Sequence, residues 1–197
     1  MRVVASHLID GITPNSVPAR YTRTAIALHW LTFVLIASGF ALAMYMTDLP
    51  LSPQKHKYFS WHKWIGVTIF MLVAARLAWR LIHPPPPLPA AMPAWQQRTV
   101  ALTHAALYVL MLAIPATGWL YSSASGVSTV YLNLLQLPDF LKENKALAAQ
   151  LKLVHITLNY AMLTLVVIHV AAALKHQLVE RDGVLGRMLP FIRPAGD

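Results

Sequence analysis

The stretch LVHITLNYAMLTLVVIHVAAALKH, Leu153 to His176, decides how this chain is read. It is long and apolar enough to cross a bilayer as one helix, which takes about 20 residues. Yet it holds histidines at 155, 169 and 176. Ionisable side chains inside a membrane span are costly and are usually functional. Residues 155 and 169 are fourteen apart. At about 100° per residue they share one helix face, roughly 21 Å apart along the axis. Two imidazoles on one face at two depths point to two sites on one helix.

Working outward, the whole chain has the composition of a membrane protein. Of 197 residues, 57% are hydrophobic and 12% charged, against about 25% charged in a soluble domain. The mean hydropathy is +0.52. Four apolar segments stand out, at about Ala25–Met46, Trp61–Ile82, Val100–Tyr121 and Lys152–His176. Each can span the hydrocarbon core. The expected fold is all-α, an integral membrane four-helix bundle over 21–190. Short tails are expected at 1–20 and 191–197. The first connection, TDLPLSPQKHKYFS, reads as a polar turn. The second, HPPPPLPAAMPAW, cannot be helix interior and ends the second helix. The third is longest and suggests a short amphipathic helix near Leu132–Gln150, lying at the interface.

The formal charge is +9, but the basic residues flank apolar segments. They read as membrane anchors rather than a nucleic-acid surface, so no nucleic-acid partner is expected. The absence of cysteine excludes disulfides, thiolate metal sites, iron–sulfur clusters and thioether-bound haem. The first twenty residues lack the apolar core and cleavage site of a signal peptide. Ten Lys and Arg residues fall on the side of the termini and the proline block, and six on the other. Both termini are therefore expected in the cytoplasm.

Depth then pairs the histidines. His29 in the first segment is level with His169, near the inner face. His62 at the start of the second is level with His155, near the outer face. A flat macrocycle held between two axial imidazoles in a helical bundle requires such pairs. His104 opens the third segment at the inner level and competes with His29 on depth alone. His176 lies at the inner interface. His7, His56 and His83 fall in the tail or connections and read as solvated. Arg76 is fourteen residues after His62, on its face but at inner depth. A haem propionate would satisfy its guanidinium; snorkelling to headgroups is the alternative.

The pieces IALHW, WHKWIG, ARLAWRLIHPPPPLP, HAALYVLMLAIPATGW and HVAAALKHQLVERDGVLGRMLP, in this order, resemble the bacterial cytochrome b561 family. The resemblance covers roughly Arg20–Pro190. It implies a multi-pass protein of the bacterial cytoplasmic membrane with two haem b groups. By position, the family's iron ligands fall on His29, His62, His155 and His169, the four that depth selects. The family includes a superoxide oxidase that moves electrons from external superoxide to ubiquinone. It also implies quinone chemistry at His176 and a recurring position at His104.

Three functions follow as expectations. The first is superoxide oxidation outside coupled to ubiquinone reduction inside. Lys55, Lys57 and Lys63, with His56, would make a positive mouth that draws in a small anion. Two histidines per iron leave no vacant position, so superoxide would react by outer-sphere transfer. The second is a non-enzymatic electron conduit between the quinone pool and a periplasmic or membrane redox partner. The third is a histidine-lined proton or metal transporter without haem. It would need a continuous polar face between the two layers. The stretch ITLNYAMLTLVVI offers only Thr157, Asn159, Tyr160 and Thr164.

Overall fold

The computed structural model describes residues 20–90, 92–189 and 191. The expected tails therefore lie outside the described residues, apart from Arg20 and Phe191. Four helices make up the fold: α1 (Arg23–Thr47), α2 (Pro53–Ile82), α3 (Ala94–Ala124) and α4 (Lys145–Lys175). All four are long and apolar enough to cross a membrane. The end carrying the α1–α2 and α3–α4 connections is called the outer end below, and the other the inner end.

Local chemistry sets the helix ends. Thr22 caps α1 by accepting from the Ala25 N–H, Ser52 caps α2 from Lys55, and Asn144 caps α4 from Leu147. Pro53 follows Ser52 at the first helical position, where its missing N–H is not needed. The segment expected as a polar turn is thus mostly helix, and only residues 48–52 turn the chain. The sequence reading was misled by polar residues in α2 that stand beyond the apolar core. α3 and α4 likewise begin earlier than expected, at Ala94 and Lys145. The proline block does terminate α2, with the His83 N–H closing on the Trp79 carbonyl at 2.8 Å.

The interfacial helix expected near Leu132–Gln150 is absent. A two-stranded antiparallel hairpin, β1 (Val130–Tyr131) and β2 (Leu135–Gln136), occupies its first part. Leu132 and Asn133 take positive φ values of 52° and 60° at its turn, and Pro138 follows, so no helix can run through. Ser122 and Ser123 tie this connection to the end of α3, through the carbonyls of Val127 and Leu141.

α1 packs on α2, α2 on α3 and α3 on α4. The mid-bundle core is Ile69, Val73, Leu110, Met111 and Met162. Much of the remaining apolar surface faces outward, including Val34, Met44, Val109 and Val167. In a span this is the lipid-facing surface, because lipid tails are as apolar as the side chains. At the inner end α4 runs into a π turn (His176–Glu180) and then a 3-10 turn (Leu185–Arg187). This segment is held down by Trp30 Nε1 donating to the Met188 carbonyl at 2.9 Å and by Arg187 donating to the Pro87 carbonyl.

Candidate functional site

The core lies between two histidine layers. At the outer layer, His62 of α2 faces His155 of α4, with ring centroids 6.3 Å apart and planes at 84°. At the inner layer, His29 of α1 faces His169 of α4, at 6.5 Å and 56°. With metal–imidazole bonds of about 2.1 Å, two rings on opposite sides of one metal have centroids about 6.5 Å apart. Both separations meet that requirement.

The outer pair sits on a cleft with about 480 Å³ of empty space, part of it open to the surroundings. Gly39, Gly66, Phe40, Ile65 and Met162 are among its walls. His62 Nδ1 is buried there without a hydrogen-bond partner. The cleft, its apolar lining and the opposed imidazoles suit a flat apolar macrocycle with an iron centre.

His155 is the best-oriented of the four. Its Nδ1 lies 3.0 Å from the Ile114 carbonyl and 3.3 Å from Thr117 Oγ1. Donation from Nδ1 to the carbonyl leaves Nε2 bare, the tautomer that a metal takes. Ile114 precedes Pro115, which lies inside α3 and has no N–H to give the preceding turn. Gly118 completes the seat: a Cβ there would stand 3.0 Å from His155 Cε1. Thr117 and Gly118 were missed in the sequence. Their only signal was the ATGW motif, which does not say which ring they face.

The inner layer is more crowded. His104 of α3 also meets His169, at 5.3 Å and 71°, so three imidazoles converge there. His104 lies well inside α3 rather than at its start, because the helix begins at Ala94. Arg76 faces no carboxylate among the described residues. Its Nη2 lies 3.2 Å from His29 Nδ1, and its guanidinium carbon lies over the Tyr108 ring at 5.5 Å. A guanidinium only donates, so His29 Nδ1 accepts in this arrangement and its ring proton sits on Nε2, the reverse of the His155 tautomer; Nε2 would be bared for a metal only with Arg76 turned away. Tyr21, just before α1, joins the cluster. Burial raises its phenol above the ordinary value, against the pull of Arg80, Arg187 and Arg76.

The remaining candidates divide. His176 is buried, and its Nδ1 lies 2.6 Å from Asp182 Oδ2 and 2.5 Å from Glu180 Oε2. Those two carboxylates were not singled out from sequence. Lys55 Nζ donates to the carbonyls of Thr47 and Leu49, and Lys63 to those of Val127 and Ser128. Both are tied into the outer connections. Lys57 lies over Trp61 at 5.0 Å. His56 Nδ1 donates to the Ser52 carbonyl, and His83 stacks on Trp79. Between the layers, Asn159 and Thr164 bond carbonyls of α4 itself, which leaves no polar file across the bundle from these groups.

Four apolar helices with histidines opposed at two depths define a membrane cytochrome of the b type. The chain belongs to the prokaryotic cytochrome b561 family, whose pattern matches residues 20–191. It is 35% identical to cytochrome b561 homolog 2 of Escherichia coli K12 over 177 residues, 89% of this chain and 94% of that one. Cytochrome b561 homolog 1 of the same organism is 29% identical over 172 residues, 87% of this chain and 97% of that one. A protein of Yersinia pestis named probable superoxide oxidase CybB is 29% identical over 178 residues, 87% and 96% of the two chains. Family membership makes this chain a haem-binding, transmembrane electron-transfer protein.

Proposed function

We propose that this chain holds two b-type haems in the bacterial inner membrane, termini inside, and couples superoxide oxidation at the outer face to ubiquinone reduction at the inner face. The carrying observation is the pair of opposed imidazole layers on α4, at positions 155 and 169. Two superoxide anions would yield two dioxygen molecules and two electrons, and the quinone would take those electrons with two protons. When bound, haem iron supplies the one-electron redox chemistry.

The chain's residues would do the rest. His62 and His155 would hold the outer group, and His29 and His169 the inner one. The Ile114 carbonyl keeps the proton of His155 on Nδ1. Arg76, which faces no carboxylate among the described residues, would pair a haem carboxylate. His104 would pack against the inner ligand. Lys55, Lys57 and Lys63 would give the outer face a positive field for a small anion. His176, at the inner face, would exchange protons with the quinone, with Asp182 and Glu180 on its Nδ1.

The test is anaerobic stopped-flow absorbance of the purified, oxidised, haem-loaded protein mixed with superoxide, with and without a ubiquinone analogue. Rapid haem reduction followed by quinone-dependent reoxidation is expected. Spectra that do not respond to superoxide would overturn this reading. They would leave an electron conduit between the quinone pool and a periplasmic or membrane redox partner, the reading favoured if an acidic protein docks at the lysine-bearing outer face.

A further inference from the structure

We propose that the β1–β2 hairpin is seated in the headgroup–acyl boundary of the outer leaflet, and that lipid covers its exposed tip. The hairpin is too apolar for water. Residues 127–138, VSTVYLNLLQLP, carry no charge. A hairpin on a soluble surface keeps one face polar. Here Leu132, Leu134 and Leu135 all stand exposed around the turn, Leu134 at 87%.

Its depth is set by two bonds to the side of α2. Trp64 Nε1 donates to the Val130 carbonyl at 2.7 Å, and the Tyr131 hydroxyl meets Thr68 Oγ1 at 3.0 Å. α2 extends outward to Pro53, about 16 Å beyond Trp64 at 1.5 Å per residue. The hairpin is therefore not perched on the outer tip of the bundle. It lies alongside the span, level with Trp61 and Trp64, and tryptophans mark the interface of a bilayer. Lys63, whose ammonium reaches the Val127 and Ser128 carbonyls at 3.4 Å, marks the same level by snorkelling.

The exposed leucines continue a surface that is already lipid-facing. Trp61, Phe70 and Met71 stand exposed on α2 on either side of the Trp64–Thr68 level. Backbone groups in hydrocarbon must be paired within the protein. Most of those in the hairpin are: Val130 pairs with Gln136, the Leu137 N–H reaches the Thr129 carbonyl, and the Leu134 N–H reaches that of Tyr131. Asn133 and Gln136 place the hairpin at the headgroup boundary rather than in the hydrocarbon centre. The occupant is thus the polar–apolar edge of the bilayer. Its effect would be to fix how deep the outer imidazole pair sits below the surface.

The chain has no cysteine, so a single Leu134→Cys in the full-length, haem-loaded protein takes one spin label. The protein would be placed in phosphatidylcholine–phosphatidylglycerol nanodiscs. Power-saturation EPR would compare access by dioxygen, which partitions into lipid, with access by a water-soluble nickel chelate. Val167→Cys on the exposed side of α4 and Lys142→Cys in the outer loop are the lipid and water references. The expected dioxygen-to-nickel ratio is severalfold above that at 142 and below that at 167, with Leu135→Cys behaving alike. A ratio equal to that at 142 would place the hairpin in water and overturn the proposal. So would a label shielded from both reagents, since a second protein copy would then cover the tip. Neither outcome depends on whether superoxide is the substrate.

Discussion

At the scale of single residues, His155 is the side chain most constrained by its surroundings. Its Nδ1 is oriented by Ile114, and Gly118 lies against its ring. Gly118→Ala would press a methyl into that ring and cost about 1–3 kcal/mol, as overpacking does. A lower melting temperature and a lower haem content are expected, and unchanged values in both would show that the ring has room to shift. His155→Ala and His169→Ala should each remove about half of the bound haem if each site needs both its imidazoles, as pyridine haemochrome absorbance would report. His176→Ala should slow quinone-dependent reoxidation by about 10²-fold, the usual size of a proton-transfer contribution. Reduction by superoxide should stay unchanged in that variant. An equal loss in both half-reactions would mean that the substitution disturbed the inner layer rather than proton exchange.

At the scale of elements, α3 carries the feature that sequence patterns convey least. Pro115 denies its helix one N–H and lies beside the carbonyl that His155 uses. Pro115→Ala should leave the fold intact and return one N–H to α3. If two haems are bound as proposed, the potential of the outer one should then shift while that of the inner one holds, in a redox titration followed by absorbance. α4 was legible as the helix that presents two histidines on one face, because a spacing of fourteen residues keeps two side chains aligned whatever they pack against. The α3–α4 connection was not legible. A stretch as apolar as VYLNLLQ suits a helix or a strand, and only the bonds from Trp64 and Thr68 show which it becomes.

At the scale of the whole molecule, charge asymmetry is the property that reaches furthest. If superoxide is drawn to the outer face by its lysines, the bimolecular rate of haem reduction should fall as ionic strength rises towards about 0.15 M, where the Debye length is about 8 Å. A rate indifferent to salt would remove the steering role from Lys55, Lys57 and Lys63. Two of these three are also held by backbone carbonyls of the connections. Lys57→Ala is thus the cleaner probe, since Lys57 lies over Trp61 within the same helix.

The sequence by itself determined four spans and two histidine depths. Both follow from periodicity and composition, which the bilayer imposes without regard to neighbouring helices. The tertiary structure alone decided how the rings that depth pairs are turned, and that a third ring joins the inner pair. Sequence could not separate His29 from His104 as the partner of His169, because depth is a one-dimensional coordinate and packing is not. It brings both rings to His169, turns Arg76 to His29 and Tyr108, and places Asp182 and Glu180 against His176. Each of these depends on how helices rotate about their own axes and on where a loop doubles back, and both are set by contacts between distant parts of the chain.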